Sequence, residues 1–156
     1  MKEIVVQVDD TPPDVGELTS LLAASTDAST GALATFLGIC RNDGGDLEAL
    51  ELQHYPGMAE TQLESIARQA LASTEATAVA IHHRYGRVAP GDTIVAVVAT
   101  SPHRKAAFDA VGFVMDFLKT DAPFWKREIW QNGKTSWVEA KTSDDAARAE
   151  RAAVAD

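Results

Sequence analysis

The sequence has one cysteine, Cys40, in 156 residues. An internal disulfide framework is therefore excluded, and stability must come from a packed core. No apolar run approaches the roughly 20 residues that a membrane-spanning helix needs. A Gly-rich phosphate loop of the Walker or dinucleotide type is absent, and no internal repeat or low-complexity block precedes the C-terminal tail. Positive charge is scarce: 14 Lys and Arg stand against 23 Asp and Glu, a formal net charge of −9. Generic nucleic-acid binding needs a positive footprint, so the balance argues against it. A local cluster of cations in such a chain is not a by-product of basic composition. The N-terminus, Met1-Lys-Glu-Ile-Val-Val-Gln-Val8, alternates like a strand and lacks a signal-peptide pattern. These features predict a cytoplasmic protein that does not associate with membranes.

What is present suffices for a folded core, since 46% of the residues are hydrophobic. We expect one domain over 1–138 and an acidic, Ala-rich tail over 139–156. Residues 2–8 read as a strand. Val15 to Ala24 reads as a short helix with Leu18, Leu21 and Leu22 inward. Gly31 to Arg41 is a mostly apolar strand, and Asn42-Asp-Gly-Gly-Asp46 is a turn. Leu47 to Tyr55 alternates, so the two strands are expected to form a hairpin. Pro56-Gly-Met58 opens a second helix to about Ser73, with Met58, Leu63, Ile66, Ala67 and Ala70 buried. Ala76 to Tyr85 is a core strand. Thr93 to Thr100 is nearly all apolar and should be covered on both faces. Asn132-Gly133 is a hairpin signal, with Thr135 to Val138 pairing back. Mixed helices and hairpins predict an α+β fold with a mixed sheet.

The stretch Ser101 to Glu128 concentrates the cations. Thr100 or Ser101 can cap a helix in which Pro102 occupies the first turn. Phe108, Val111, Met115 and Leu118 recur at helical spacing. Pro123 ends that pattern, and Phe124 to Gln131 alternates as a strand, so Lys126 and Glu128 share a face. His103 and Arg104 open the helix, where free N–H groups favour an anion. Lys119 lies fifteen residues beyond Arg104, about 22 Å along the axis. One small molecule does not touch both within one chain. Either they serve different sites, or two copies pair so that the helix start of one meets the helix end of the other.

Several short elements occur in a fixed order. They are Gly31-Ala with Phe36, Gly38 and Arg41, then Tyr55-Pro-Gly-Met58-Ala, then Ile81-His-His-Arg84 with Gly86. After them come Val88 with Gly91-Asp, Ser101 with His103-Arg104 and Ala107-Phe108, Leu118-Lys119 with Pro123, Trp125-Lys126 and Glu128, and finally Trp137-Val. In this order they resemble the MoaE family, the large (catalytic) subunits of molybdopterin synthase, over about Gly31 to Val138. The departures are mild: Phe124 replaces a more usual branched aliphatic, and Arg127 a more usual lysine. The resemblance implies an α/β-hammerhead type of fold, a homodimeric core and a small ubiquitin-like sulfur-carrier subunit at each end, giving a heterotetramer. The small subunit would carry a C-terminal Gly-Gly thiocarboxylate. The reaction implied adds two sulfurs to cyclic pyranopterin monophosphate and yields the dithiolene of molybdopterin, with no cofactor or metal.

The resemblance makes Lys119 and Lys126 the catalytic candidates. An ammonium at Lys119 can hold a tail carboxylate, polarise a thioacid carbonyl or relay a proton, and burial there would favour base chemistry. Without it, Lys119 reads as an ordinary lysine at a helix C-terminus, and Lys126 with Glu128 as a surface pair of about 0–1 kcal/mol. Arg41, His103 and Arg104 are expected to bind the substrate phosphate, with Arg offering a two-point grip. Glu128 is expected to position Lys126, and Phe36 and Met115 to line the site, although packing alone would explain either. His82 and His83 are neighbours on a strand and point to opposite faces, a poor chelate, and read as structural or interface residues. Cys40 reads as a buried inert thiol. Two other classes compete. One is a module that binds a Gly-Gly tail without chemistry; the other is an acidic α+β domain for a different phosphorylated metabolite.

Overall fold

Long alternating or wholly apolar segments become strands here, and the segments with helical spacing become the layers that cover them. The computed structural model describes residues 3–121 and 123–138, so the expected tail over 139–156 lies outside the described residues. The order is β1 (Glu3–Asp9), α1 (Val15–Ala24), β2 (Ala32–Ile39), β3 (Leu47–His54), α2 (Met58–Ser73), β4 (Ala78–Arg84), β5 (Gly86–Val88), β6 (Thr93–Ser101), α3 (Arg104–Asp121), β7 (Phe124–Trp130) and β8 (Thr135–Trp137).

Two four-stranded sheets result, one ordered β1-β4-β6-β2 and the other β5-β3-β7-β8. The first is mixed, because β1 runs parallel to β4 while β4 and β2 run antiparallel to β6. The second is antiparallel throughout. This is the α+β architecture with a mixed sheet that the sequence predicts.

The central strands of the first sheet are apolar on both faces because both are covered. On one face Leu18 and Leu22 of α1 pack on Ala78, Ala80, Ala96 and Val98. Each leucine is wholly buried, contributing about 2 kcal/mol. On the other face α2 and α3 pack on Val79, Ile81, Val97 and Ala99, in a core that continues into Leu50, Leu52 and Phe124 of the second sheet.

The starts of α1 and α2 follow their capping residues. The Asp14 carboxylate accepts from the Glu17 N–H at 3.0 Å, and Glu60 reaches back to the Gly57 N–H at 2.7 Å. The cap expected of Thr100 or Ser101, with Pro102 in the first turn, is displaced: α3 begins at Arg104, the Ala107 N–H bonds the His103 carbonyl, and Ser101 accepts from the His103 N–H at 3.2 Å in the turn before the helix. Thr100 turns instead to the Thr77 hydroxyl, 2.9 Å away. Gly31 hydrogen-bonds the Ser101 carbonyl and passes so close to the Pro102 carbonyl oxygen that a Cβ there would collide with it. This contact seats the start of β2 against the start of α3.

Further expectations need correction. β2 and β3 do not form a hairpin: β2 pairs with β6, and β3 with β5 and β7. The Asn42–Asp46 turn therefore crosses between sheets. Leu21 is 47% exposed, Met58 46% and Phe108 67%, so none faces the core of this chain. The Asn132-Gly133 hairpin does form, with Gly133 at φ 83° in the left-handed region that glycine tolerates. The three-residue strand β5 is too short to announce itself in the sequence.

Candidate active site

α3 ends at Asp121 and β7 begins at Phe124. Only two residues separate the two elements in sequence, so the last turn of α3 stays close to the first residues of β7. Lys119 and Lys126 consequently border the same cleft, of about 70 Å³. Its walls come from Phe36 and Gly38 on β2, His83 on β4, Val95 on β6 and Met115 on α3 itself. The cleft is well below the roughly 300 Å³ of an ordinary small-molecule pocket. It has the size of a slot for a narrow chain end.

The register explains how a lysine comes to face inward. In β7, Lys126 stands opposite Leu52 and Glu128 opposite Leu50. Directly paired residues share a face, and both leucines are buried, so the two charges project from the core side of the sheet and are half-buried. Arg127 takes the other face, pairing with Glu51 at 2.9 Å and lying over Trp137 at 5.9 Å. Lys119 is exposed, in the last turn of α3 where the helix dipole favours a cation. The burial that would favour base chemistry is absent around it in the single chain. Two ammonium groups over an apolar floor of Phe36, Val95 and Met115 can hold a carboxylate and stabilise negative charge developing on a carbonyl oxygen.

The expected site residues separate into two places. Phe36, Met115, Lys119 and Lys126 meet in the cleft. Glu128 is on the same face of β7 as Lys126 but is one pair further along the strand. Arg41 is exposed on the loop after β2, paired with Asp43 at 2.8 Å. His103 and Arg104 are exposed at the opposite end of α3. There His103 borders a separate depression of about 390 Å³ with Glu75, Lys105 and Asp109.

One titratable residue of the cleft was read from the sequence only as structural or interface. His83 is 4% exposed and lines the cleft beside the lysines. Burial pushes its pKa down to about 3 against the bond to the Arg84 carbonyl, with the charges of Lys126, His82 and His54 adding to the fall. The ring stacks on Phe124, and Phe124 in turn on His54. The alternation that turned His82 away, onto Asp9 at 2.8 Å, is the signal that could have found it. Cys40 is buried, and burial together with the Asp92 carboxylate pushes its thiol up, so the nucleophilic thiolate is disfavoured. Among the described residues no group of His, Cys, Asp and Glu could hold a metal ion, and no helix is long and apolar enough to cross a membrane.

Comparison with known proteins adds a lineage to this geometry. A family model described as MoaE protein matches residues 8–121. The molybdopterin synthase catalytic subunit of Rhizobium meliloti (strain 1021) is 52% identical over 133 residues, 85% of this chain and 84% of that protein. The molybdopterin synthase catalytic subunit of Escherichia coli (strain K12) is 45% identical over 149 residues, 94% of this chain and 97% of that protein. A solved structure, the molybdopterin biosynthesis MoaE protein from Burkholderia ambifaria MC40-6, superposes with a TM-score of 0.80 at 42% identity, covering 96% of this chain and 97% of the other.

Proposed function

This chain belongs to the MoaE protein family, and from that premise we propose that it is the catalytic subunit of a molybdopterin synthase. It takes sulfur from the thiocarboxylated C-terminus of a small ubiquitin-like subunit and delivers it to cyclic pyranopterin monophosphate, forming the dithiolene. Each transfer leaves a carboxylate on the tail, with water supplying the oxygen, and on the substrate the incoming sulfurs replace carbon–oxygen bonds, one of them to the cyclic phosphate, which opens and stays as a terminal phosphate.

The observation that carries the reading is the pair of lysines on one narrow, apolar cleft. A Gly-Gly tail has no side chains and suits such a slot. Lys119 and Lys126 hold the arriving tail and stabilise charge on its carbonyl oxygen as the carbon–sulfur bond breaks. Phe36 and Met115 keep the tail extended and dry, and Glu128 orients Lys126 from the next inward position on β7. The pterin needs more room than about 70 Å³. Arg41, His103 and Arg104 supply a cationic grip for its phosphate, but His103 and Arg104 stand at the far end of α3. Two copies of the chain resolve this, with His103 and Arg104 of one completing the cleft of the other. The working enzyme is then a homodimer carrying two small subunits, and the same reading puts it in the cytoplasm.

The experiment mixes the purified protein with thiocarboxylated small subunit and cyclic pyranopterin monophosphate and follows dithiolene product. Product that depends on this chain supports the reading. Partner binding without product favours a tail-binding module, and no binding of any Gly-Gly-tailed partner refutes both.

A further inference from the structure

The two histidines at the end of β4 have different tasks. His82 is held by Asp9 on the side of α1. His83 enters the cleft, and three constraints fix it there. Phe124 lies flat against the ring, with centroids 3.7 Å apart and planes 9° from parallel. Nδ1 is 2.9 Å from the Arg84 carbonyl oxygen. A carbonyl oxygen only accepts, so Nδ1 carries the hydrogen. The ring is almost completely buried, which disfavours its cation.

A neutral imidazole has one N–H, and the Arg84 carbonyl takes it. Nε2 is therefore a bare acceptor. Among the described residues, the charged groups that border the cleft with His83 are Lys119 from α3 and Lys126 from β7. His82 on its own strand and His54 on β3 are further titratable neighbours of the ring, and among the described residues the charge of Lys126 weighs on it most.

We propose that His83 is a positioning residue: its unprotonated Nε2 accepts a hydrogen bond from the Lys126 ammonium and holds it toward the cleft. The consequence for turnover rests on the sulfur-transfer reading, but the bond itself does not.

Three variants separate the two ring nitrogens. In His83→Asn the amide keeps a donor near the Arg84 carbonyl and places nothing at Nε2. In His83→Gln the longer amide restores an acceptor near Nε2. His83→Phe keeps the stack and removes both nitrogens. The titration of the Lys126 ammonium is followed by NMR in the full chain. A hydrogen bond to an ammonium favours its charged form, so losing it moves the midpoint to lower pH, by about one unit. That fall is expected in His83→Asn and His83→Phe, with recovery in His83→Gln. Lys119 and Glu128 remain in all three and cannot cause the difference. In the product assay, kcat falls about tenfold in the Asn variant with little change in the KM for the small subunit, as expected for a displaced catalytic group. An unmoved Lys126 midpoint in His83→Asn overturns the proposal, whatever the wild type does in turnover. A wild type that makes no product overturns the sulfur-transfer reading instead. If His83→Phe fails to fold, His83→Asn, which keeps the Arg84 bond, decides.

Discussion

The rings of His83 and Phe124 are stacked 3.7 Å apart, tying the end of β4 in the first sheet to the start of β7 in the second, with His83 on the wall of the lysine cleft. Phe124 is also the departure from the branched aliphatic that the family resemblance leads one to expect. Phe124→Ala should cost about 3–4 kcal/mol in urea unfolding, because a buried ring is removed and its site cannot fully collapse. Phe124→Leu should cost less in stability but still lower turnover, since it removes the flat surface that fixes His83.

His83 also makes stability depend on pH. Its pKa is depressed to about 3 in the fold against about 6.5 in the unfolded chain. The unfolded state therefore binds the extra proton between those values. Stability is complete above pH of about 6.5 and falls as the pH drops toward 3, with a slope approaching about 1.4 kcal/mol per pH unit. His83→Phe should flatten that limb in urea titrations at several pH values. Asp9 acts lower. Burial raises its carboxyl, but bonds from Thr11, His82 and Gln7 outweigh this and hold it well below the usual carboxylate range. Its contribution is present above pH of about 4 and is lost only below that.

Gly31→Ala should destabilise the fold by about 1–3 kcal/mol, because the new methyl meets a backbone carbonyl oxygen, that of Pro102, which cannot rotate away. The start of α3 must shift, so binding of the phosphate-bearing substrate should weaken more than binding of the small subunit. Calorimetry with each ligand separates the two effects.

Lys119→Ala should change thermal unfolding very little, since the side chain is exposed, an effect within about 0.5 kcal/mol. Product formation should fall by a factor of about 10² or more while the small subunit still binds. Near-normal turnover would remove Lys119 from the mechanism.

The legible parts of the fold were those set by local pattern. The end of α3 followed Pro123, and β6 announced its double coverage through an unbroken apolar run. The β2–β3 hairpin was misread because sequence neighbours usually pair, and nothing in either strand records that β6 and β7 compete for them. Phe108, Met58 and Leu21 fit helical spacing yet face outward, because spacing identifies an apolar stripe and not what covers it. For the candidate site, Lys119 and Lys126 were legible through their motif, and the cleft joins them. His83 was not, because its relation to Phe124 spans two sheets and appears only when they close.

α3 holds Arg104 and Lys119 near its opposite ends, fifteen positions or about 22 Å apart. If each working centre borrows one end from each copy, two inactive alleles rescue each other. In a mixed dimer of Lys119→Ala and Arg104→Ala subunits, one centre inherits both lesions and the other inherits neither. Random mixing should therefore return about a quarter of wild-type activity from two preparations that have almost none. Such a gene would show intragenic complementation, and its loss-of-function alleles would sort into two groups according to which end of a single helix they damage.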